Sequence, residues 1–152
     1  MIIRKMTIKD YDNVYALWVT TEGMGVNSTD DSKEGILRFL KRNPRTCYVA
    51  ENERSGLIDG SILCGNDGRR GYIYHLAVKA SFRGRGIGRA LVEKALIGLK
   101  REGISKVALV VFEGNNTGND FWERVGFSRR KDLVYRNLAL VETEKIDFEI
   151  DL

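Results

Sequence analysis

Leu76-Ala77-Val78-Lys79-Ala80-Ser81-Phe82-Arg83-Gly84-Arg85-Gly86-Ile87-Gly88-Arg89 joins an apolar, strand-like run to the start of a long periodic helix through alternating arginines and glycines. The first turn of a helix carries N–H groups without intrahelical acceptors and a partial positive charge, so a phosphate binds there if no side chain blocks its approach. Gly84, Gly86 and Gly88 remove the blocking side chains, while Arg83, Arg85 and Arg89 supply planar donors suited to phosphate oxygens. Three cations on one loop repel one another, and glycines in a helix's first turns cost roughly 1 kcal/mol each against alanine. A bound anion accounts for both costs. Spacing narrows its identity. A Walker loop requires a Lys followed by Ser or Thr, which are missing here. A dinucleotide fingerprint begun at Gly84 would need glycine where Arg89 stands, and belongs early in a parallel sheet.

Upstream, Thr46–Glu51 and Leu57–Cys64 have strand composition and are joined by the turn-rich Asn52–Gly56. Asn66-Asp67-Gly68 then turns the chain into Tyr72–Val78, completing an antiparallel meander. Downstream, Ile87, Leu91, Ala95 and Leu99 stripe a helix from Gly86 to Glu102 that Gly103 closes as a left-handed cap. Lys106–Phe112 follows as an apolar strand expected to be buried. Strand, helix and strand make a βαβ unit, so the Tyr72 and Lys106 strands run parallel.

The N-terminal part predicts a strand over Ile2–Met6 and a helix begun by a Thr7/Asp10 capping pair ahead of Tyr11, Val14, Leu17 and Trp18. A second helix starts near Ser32, carries Ile36, Leu37, Phe39 and Leu40, and stops before Asn43-Pro44. Between them Glu22–Asp31, with Gly23, Gly25 and Asn27, reads as mobile. A short helix over Asn119–Val125 capped by Gly126 precedes a closing hairpin of Phe127–Arg130 and Leu133–Leu140 through Lys131-Asp132. Glu142–Leu152 is acidic and reads as an edge strand or a flexible tail. The expected fold is α/β (α+β): one domain over residues 1–152, with a central mixed, mostly antiparallel sheet flanked by helices.

With 152 residues, 43% hydrophobic and 30% charged, the chain has the size of one domain and the apolar content for a core. Its longest uninterrupted apolar run, Val107–Phe112, is far short of the roughly 20 residues of a membrane span. No secretion signal opens it, so no membrane association and a cytoplasmic location are expected. Cys47 and Cys64 read as buried thiols. With His75 the single histidine, no metal site is expected. A net charge of +4 is modest, and Arg69-Arg70 and Arg129-Arg130-Lys131 form no nucleic-acid-reading motif, so no nucleic acid partner is expected.

Arg83-Gly84-Arg85-Gly86-Ile87-Gly88 fits the [QR]-x-x-G-x-[GA] motif, and Asn115, Phe121-Trp122 and Gly126-Phe127 follow at the matching distance. On these two segments, in register within a matching βαβ context, the chain resembles the GNAT N-acetyltransferase superfamily. The resemblance spans nearly the whole chain and implies acetyl-CoA as cosubstrate. It implies that Arg83, Gly84, Arg85, Gly86, Ile87, Gly88 and Arg89 hold the pyrophosphate. Leu76, Ala77 and Val78 would pair with the pantetheine arm through their main chain, and Asn115, Phe121 and Trp122 would line its far side. Acetyl would pass directly to a primary amine of a small molecule or peptide in a ternary complex, with the Leu76 N–H receiving the oxyanion.

A free alkylamine has a pKa near about 10, so it must lose a proton before attack. Many relatives place a Tyr, which protonates the departing thiolate, where this chain has Trp122, and an indole N–H cannot replace a phenol. Tyr74 and Glu113 are the candidates for proton transfer, with solvent as the alternative. An ordinary alternating strand would put His75 opposite Tyr72, Tyr74 and Leu76, as a hydrogen-bonded core histidine. The Trp122 replacement sustains a competing reading, a catalytically degenerate acyl-CoA-binding module. The acceptor side is expected from Glu22–Asp31, the second helix and the hairpin around Tyr135, and exposed closing strands could pair two copies into a homodimer.

Overall fold

The computed structural model describes residues 1–146. Strand β1 (Ile2–Lys5) enters a 3₁₀ turn (Ile8–Asp10) and helix α1 (Tyr11–Val19). The Asp10 carboxylate accepts the Thr7 N–H at 2.8 Å, as the capping pair requires. Asp10 is also gripped by Arg4, Nη1 to Oδ2 at 2.9 Å and Nη2 to Oδ1 at 2.7 Å. Burial pushes the Asp10 carboxyl up, but the Arg4 hydrogen bonds and the Thr7 N–H outweigh it, holding the group below the usual carboxylate range. A carboxylate with a lowered folded pKa stabilises the fold at pH values above its unfolded pKa, and that contribution disappears as pH falls through the folded value. Asp10→Asn is therefore expected to cost about 1–2 kcal/mol at pH 7 and to flatten the acid limb of stability, read from urea midpoints between pH 7 and pH 2.

Helix α2 (Lys33–Arg42) begins at Ser32, whose hydroxyl accepts the Gly35 N–H at 3.0 Å, and ends ahead of Pro44. Strands β2 (Tyr48–Glu51), β3 (Ile58–Asn66) and β4 (Gly71–Val78) form the antiparallel meander. Helix α3 (Ile87–Arg101) crosses to β5 (Val107–Ala108), which runs parallel to β4, and α4 (Asn116–Arg124) follows. Sheet order is β1-β2-β3-β4-β5. On one face Val14, Leu17, Trp18, Ile36 and Leu40 pack on Val49, Leu63 and Ala77. On the other, Leu91, Val92, Ala95 and Leu99 pack on Ala50, Ile62, Cys64 and Ile73. This mixed sheet between helices is the architecture expected from the sequence. Cys47 and Cys64 are free and buried, and burial pushes each thiol up to about 12.

Three expectations are corrected. The apolar run Lys106–Phe112 is not one buried strand: only Val107 and Ala108 pair with β4, and Val110 and Phe112 are exposed. The ladder ends at Tyr72, and farther along β4, at His75 and Leu76, the strand bulges. The closing hairpin does not form among the described residues, and Leu133–Val141 leaves Leu138 and Leu140 more than four-fifths exposed. With β5 diverging after two residues there is no continuous edge for these segments to extend. Glu22–Asp31 is tied down rather than free: Ser28 N–H donates to Glu144 O and Ile146 N–H to Val26 O, both at 2.9 Å. The tail is thus paired at Lys145 with Asn27, and its last residues, 147–152, lie outside the described part. Among the described residues no helix is long and apolar enough to cross a membrane, and no cluster of metal-ligating side chains occurs.

Candidate active site

The glycine-arginine loop passes through a 3₁₀ turn (Ala80–Phe82) and delivers the chain to the N-terminus of α3. Gly84 and Gly86 have φ of +75° and +81°, a left-handed conformation that favours glycine, and a side chain at either would point into open space. Gly88 serves a different purpose: a Cβ there would meet the Phe121 ring at 3.2 Å, so its missing side chain lets α4 dock on the first turn of α3. Ile87 is buried beneath the loop. The N-cap, Gly86, makes no side-chain hydrogen bond and no acid lies in the first turn of α3, whereas α2 and α4 are capped by Ser32 and Asn115. Around this uncapped terminus Arg83, Arg85 and Arg89 are exposed, and among the described residues none forms a salt bridge. Arg83 Nε donates to the Val78 carbonyl at 3.0 Å, and Arg85 lies 5.1 Å from the Phe82 ring centroid. Four open N–H groups and three guanidinium groups make an anion site from the loop alone.

Beside it runs the free edge of β4. Past Tyr72 no described strand pairs with β4 on the β5 side, which leaves the stretch holding Leu76, Ala77 and Val78 open for an extended ligand. Toward β3 the register slips. Ser61 stands opposite Ala77 and Leu63 opposite Tyr74, so three steps of β4 face two of β3. His75 occupies this bulge at φ +41°. The slip overturns simple alternation: His75 turns to the same side as Tyr74, toward α1 and α2, while Leu76 packs with the α3 side. His75 is hydrogen-bonded and packed, as expected, with Nε2 2.6 Å from Asp31 Oδ1 and its ring 4.8 Å from that of Trp18.

Tyr74 is 46% exposed and meets Phe39 edge-on at 5.8 Å and Tyr72 at 4.6 Å. Burial, with Tyr135 and Asp30 nearby, raises its phenol pKa, and burial pushes the Tyr72 phenol up to about 12. Glu113 is solvated, with its side chain 91% exposed, and pairs with Arg129 at 3.4 Å. No hydrogen bond joins it to Tyr74 among the described residues. Asn115 caps α4, accepting the Gly118 N–H at 2.9 Å. Trp122 packs between Phe121 and Phe127, at 5.1 and 5.0 Å. The structure thus gathers the loop, the β4 edge, Phe121 and Trp122 into one continuous region. Sequence reasoning missed the Asp31 contact to His75 and the place of Phe39, because each joins residues more than thirty positions apart.

The model of the acetyltransferase (GNAT) family matches residues 11–127. An acetyltransferase of Yersinia enterocolitica, YE1169, is 31% identical over 144 residues, covering 95% of this chain and 99% of the relative. One of Photorhabdus laumondii, plu1384, is 32% identical over 146 residues, again covering 95% and 99%. Among solved structures, the NatC complex bound to Gag peptide and CoA aligns with a TM-score of 0.72 at 27% identity, covering 86% of both chains. The PaiA N-acetyltransferase of Thermoplasma acidophilum in complex with coenzyme A shares the fold, with a TM-score of 0.72 at 21% identity over 84% of this chain and 89% of that one. The family model over residues 11–127 and relatives 31% and 32% identical along 95% of the chain, in agreement with the uncapped helix start beside an open strand edge, place the protein in the GNAT family of acetyltransferases.

Proposed function

We propose that this acyltransferase moves acetyl from acetyl-CoA directly to a primary amine of a small molecule or peptide. The observation that carries the reading is the anion site at the uncapped start of α3, contiguous with the unpaired β4 edge. Pyrophosphate at the loop would direct the pantetheine arm along Val78, Ala77 and Leu76, against the ring of Phe121 and beside Trp122. The reacting thioester then lies at the bulge.

The amine nitrogen attacks the carbonyl carbon, the C–N bond forms and the C–S bond breaks, leaving CoA thiolate. The Leu76 N–H receives the developing oxyanion. Tyr74 serves as a neutral hydrogen-bond donor toward the departing sulfur, a phenol being protonated at neutral pH even at its ordinary pKa of about 10. Burial raises that pKa further, which leaves still less phenolate to act as a base. One proton leaves the ammonium for solvent before attack and a second leaves the nitrogen as the tetrahedral adduct collapses, with the solvated Glu113 as a relay, while the thiolate, whose thiol has a pKa of about 8.5, departs with little help and takes up a proton from solvent.

The competing reading, acyl-CoA binding without transfer, is favoured by Trp122, whose place in the Phe121–Phe127 stack leaves it no acid chemistry. The test is CoA release from acetyl-CoA with a panel of amino acids, polyamines, aminoglycosides and peptide N-termini. Steady turnover well above the uncatalysed rate with at least one amine is expected. CoA binding without turnover across the panel would establish the binding module instead.

A further inference from the structure

We propose that Asp31 and His75 form a positioning pair, which holds the β4 bulge in the conformation that aims the Leu76 N–H at the acetyl carbonyl. The inference rests on the acetyl-transfer reading but concerns residues outside the cofactor loop. His75 is the one described non-glycine residue with positive φ, at +41°. Backbone in that region is costly for a side chain and persists only where surroundings over-determine it. Here they do. The His75 ring is wedged against Trp18, itself fully buried and anchored through Nε1 to Ser61 Oγ at 3.0 Å. Its Nε2 meets the 3%-exposed Asp31 at 2.6 Å.

Asp31 is immobilised in turn. Its Oδ2 accepts the Asn27 N–H at 2.9 Å, and its carbonyl accepts the Tyr11 hydroxyl at 2.7 Å. A chain of hydrogen bonds therefore runs from α1 and the Asn27–Asp31 loop into the bulge. The next residue along β4 is Leu76. His75 and Leu76 have no partner across β3, so no sheet ladder sets the direction of the Leu76 peptide. The pair sets it instead.

Neither group is assigned contact with the reacting atoms: the His75 ring is held by Trp18 and Asp31 and acts through the backbone. A misplaced donor costs rate without costing cofactor affinity, on the order of 100-fold in kcat. The variants are His75→Val, which resists positive φ and loses the hydrogen bond, His75→Gln, whose amide reaches the position of Nε2, and Asp31→Ala. His75→Val and Asp31→Ala are each expected to lower kcat about 100-fold with KM for acetyl-CoA unchanged. The double variant should be no worse than either single one, because both remove the same constraint. His75→Gln should recover most of the rate by restoring the bond.

Calorimetry with CoA and with acetyl-CoA should give wild-type affinities for both in His75→Val, which also shows that the variant is folded with its cofactor side intact. Full kcat in His75→Val would overturn the proposal, and so would a loss of acetyl-CoA affinity as large as the loss of kcat. So would a His75→Gln variant as slow as His75→Val, since the imidazole would then be needed for its chemistry. Failure of the wild type to bind CoA would instead defeat the functional reading on which this one stands.

Discussion

Gly86→Glu is expected to abolish the thermal stabilisation that acetyl-CoA should give the wild type. A ligand at one hundred times its Kd adds about 2.7 kcal/mol to the folded state by mass action. For a domain of this length that corresponds to a rise in Tm of about 8 °C. The introduced carboxylate would sit at the uncapped start of α3, among the N–H groups and the three arginines proposed to receive phosphate. It both fills the site and repels a second anion. A Cβ at Gly86 meets nothing within 4 Å, so the packing cost is nil and the conformational cost is that of a left-handed residue, about 1–2 kcal/mol. The new charge offsets part of that cost through the helix dipole, and the unliganded variant should melt close to the wild type. Differential scanning fluorimetry with and without millimolar acetyl-CoA decides the matter. A full ligand-induced shift in Gly86→Glu would place the phosphates elsewhere. Gly86→Asn, which tolerates positive φ without adding charge, should keep part of the shift.

Trp18→Ala is the substitution expected to cost most stability, about 3–5 kcal/mol. Trp18 is fully buried, packs in the cluster between α1, α2 and the sheet, and meets the His75 ring at a tilt, with centroids 4.8 Å apart. Its removal leaves a cavity and also orphans the buried Ser61 hydroxyl, which now accepts the indole N–H. Against a typical total of about 5–15 kcal/mol this is a large fraction. At a urea slope of about 2 kcal/mol/M the midpoint should fall by about 2 M. Trp18→Phe keeps most of the volume but loses the hydrogen bond, and should lie between the two. A midpoint for Trp18→Ala within 0.5 M of wild type, taking that slope of about 2 kcal/mol/M, would mean that the site collapses around the gap and that the packing behind His75 is not rigid.

The two substitutions probe different kinds of information. The site touched by Gly86→Glu is legible along the chain because its physics is local. A left-handed glycine, an uncapped helix start and alternating arginines lie within seven consecutive positions, Arg83 to Arg89. The caps at Asp10 and Ser32 and the turns at Asn52–Gly56 and Asn66–Gly68 are of the same kind, set by neighbours within a few residues, and the parallel sense of β4 and β5 follows from the helix between them. His75 is not. Its alternation along the strand points it to the wrong side, because a bulge depends on how β3 and β4 register with each other. No pattern within either strand reports that.

The segments after α3 show the same boundary between local and tertiary information. Val107–Phe112 and Leu133–Leu140 have strong strand composition, yet only Val107 and Ala108 join the sheet among the described residues. Strand propensity expresses the fit of a side chain to a pleated, half-buried surface, and becomes a strand only where a neighbouring edge is offered. So the amino-acid order by itself determined the helix caps, the turns, the meander and the glycine-arginine loop at the start of α3, each of which closes its energetics within a short stretch of chain. The bulge, the orientation of His75 toward Asp31, the divergence of β5 from β4 and the anchoring of Glu144–Ile146 on Val26–Ser28 were decided by tertiary structure. Each depends on a partner brought from far along the chain, and its free energy exists only once the sheet has formed.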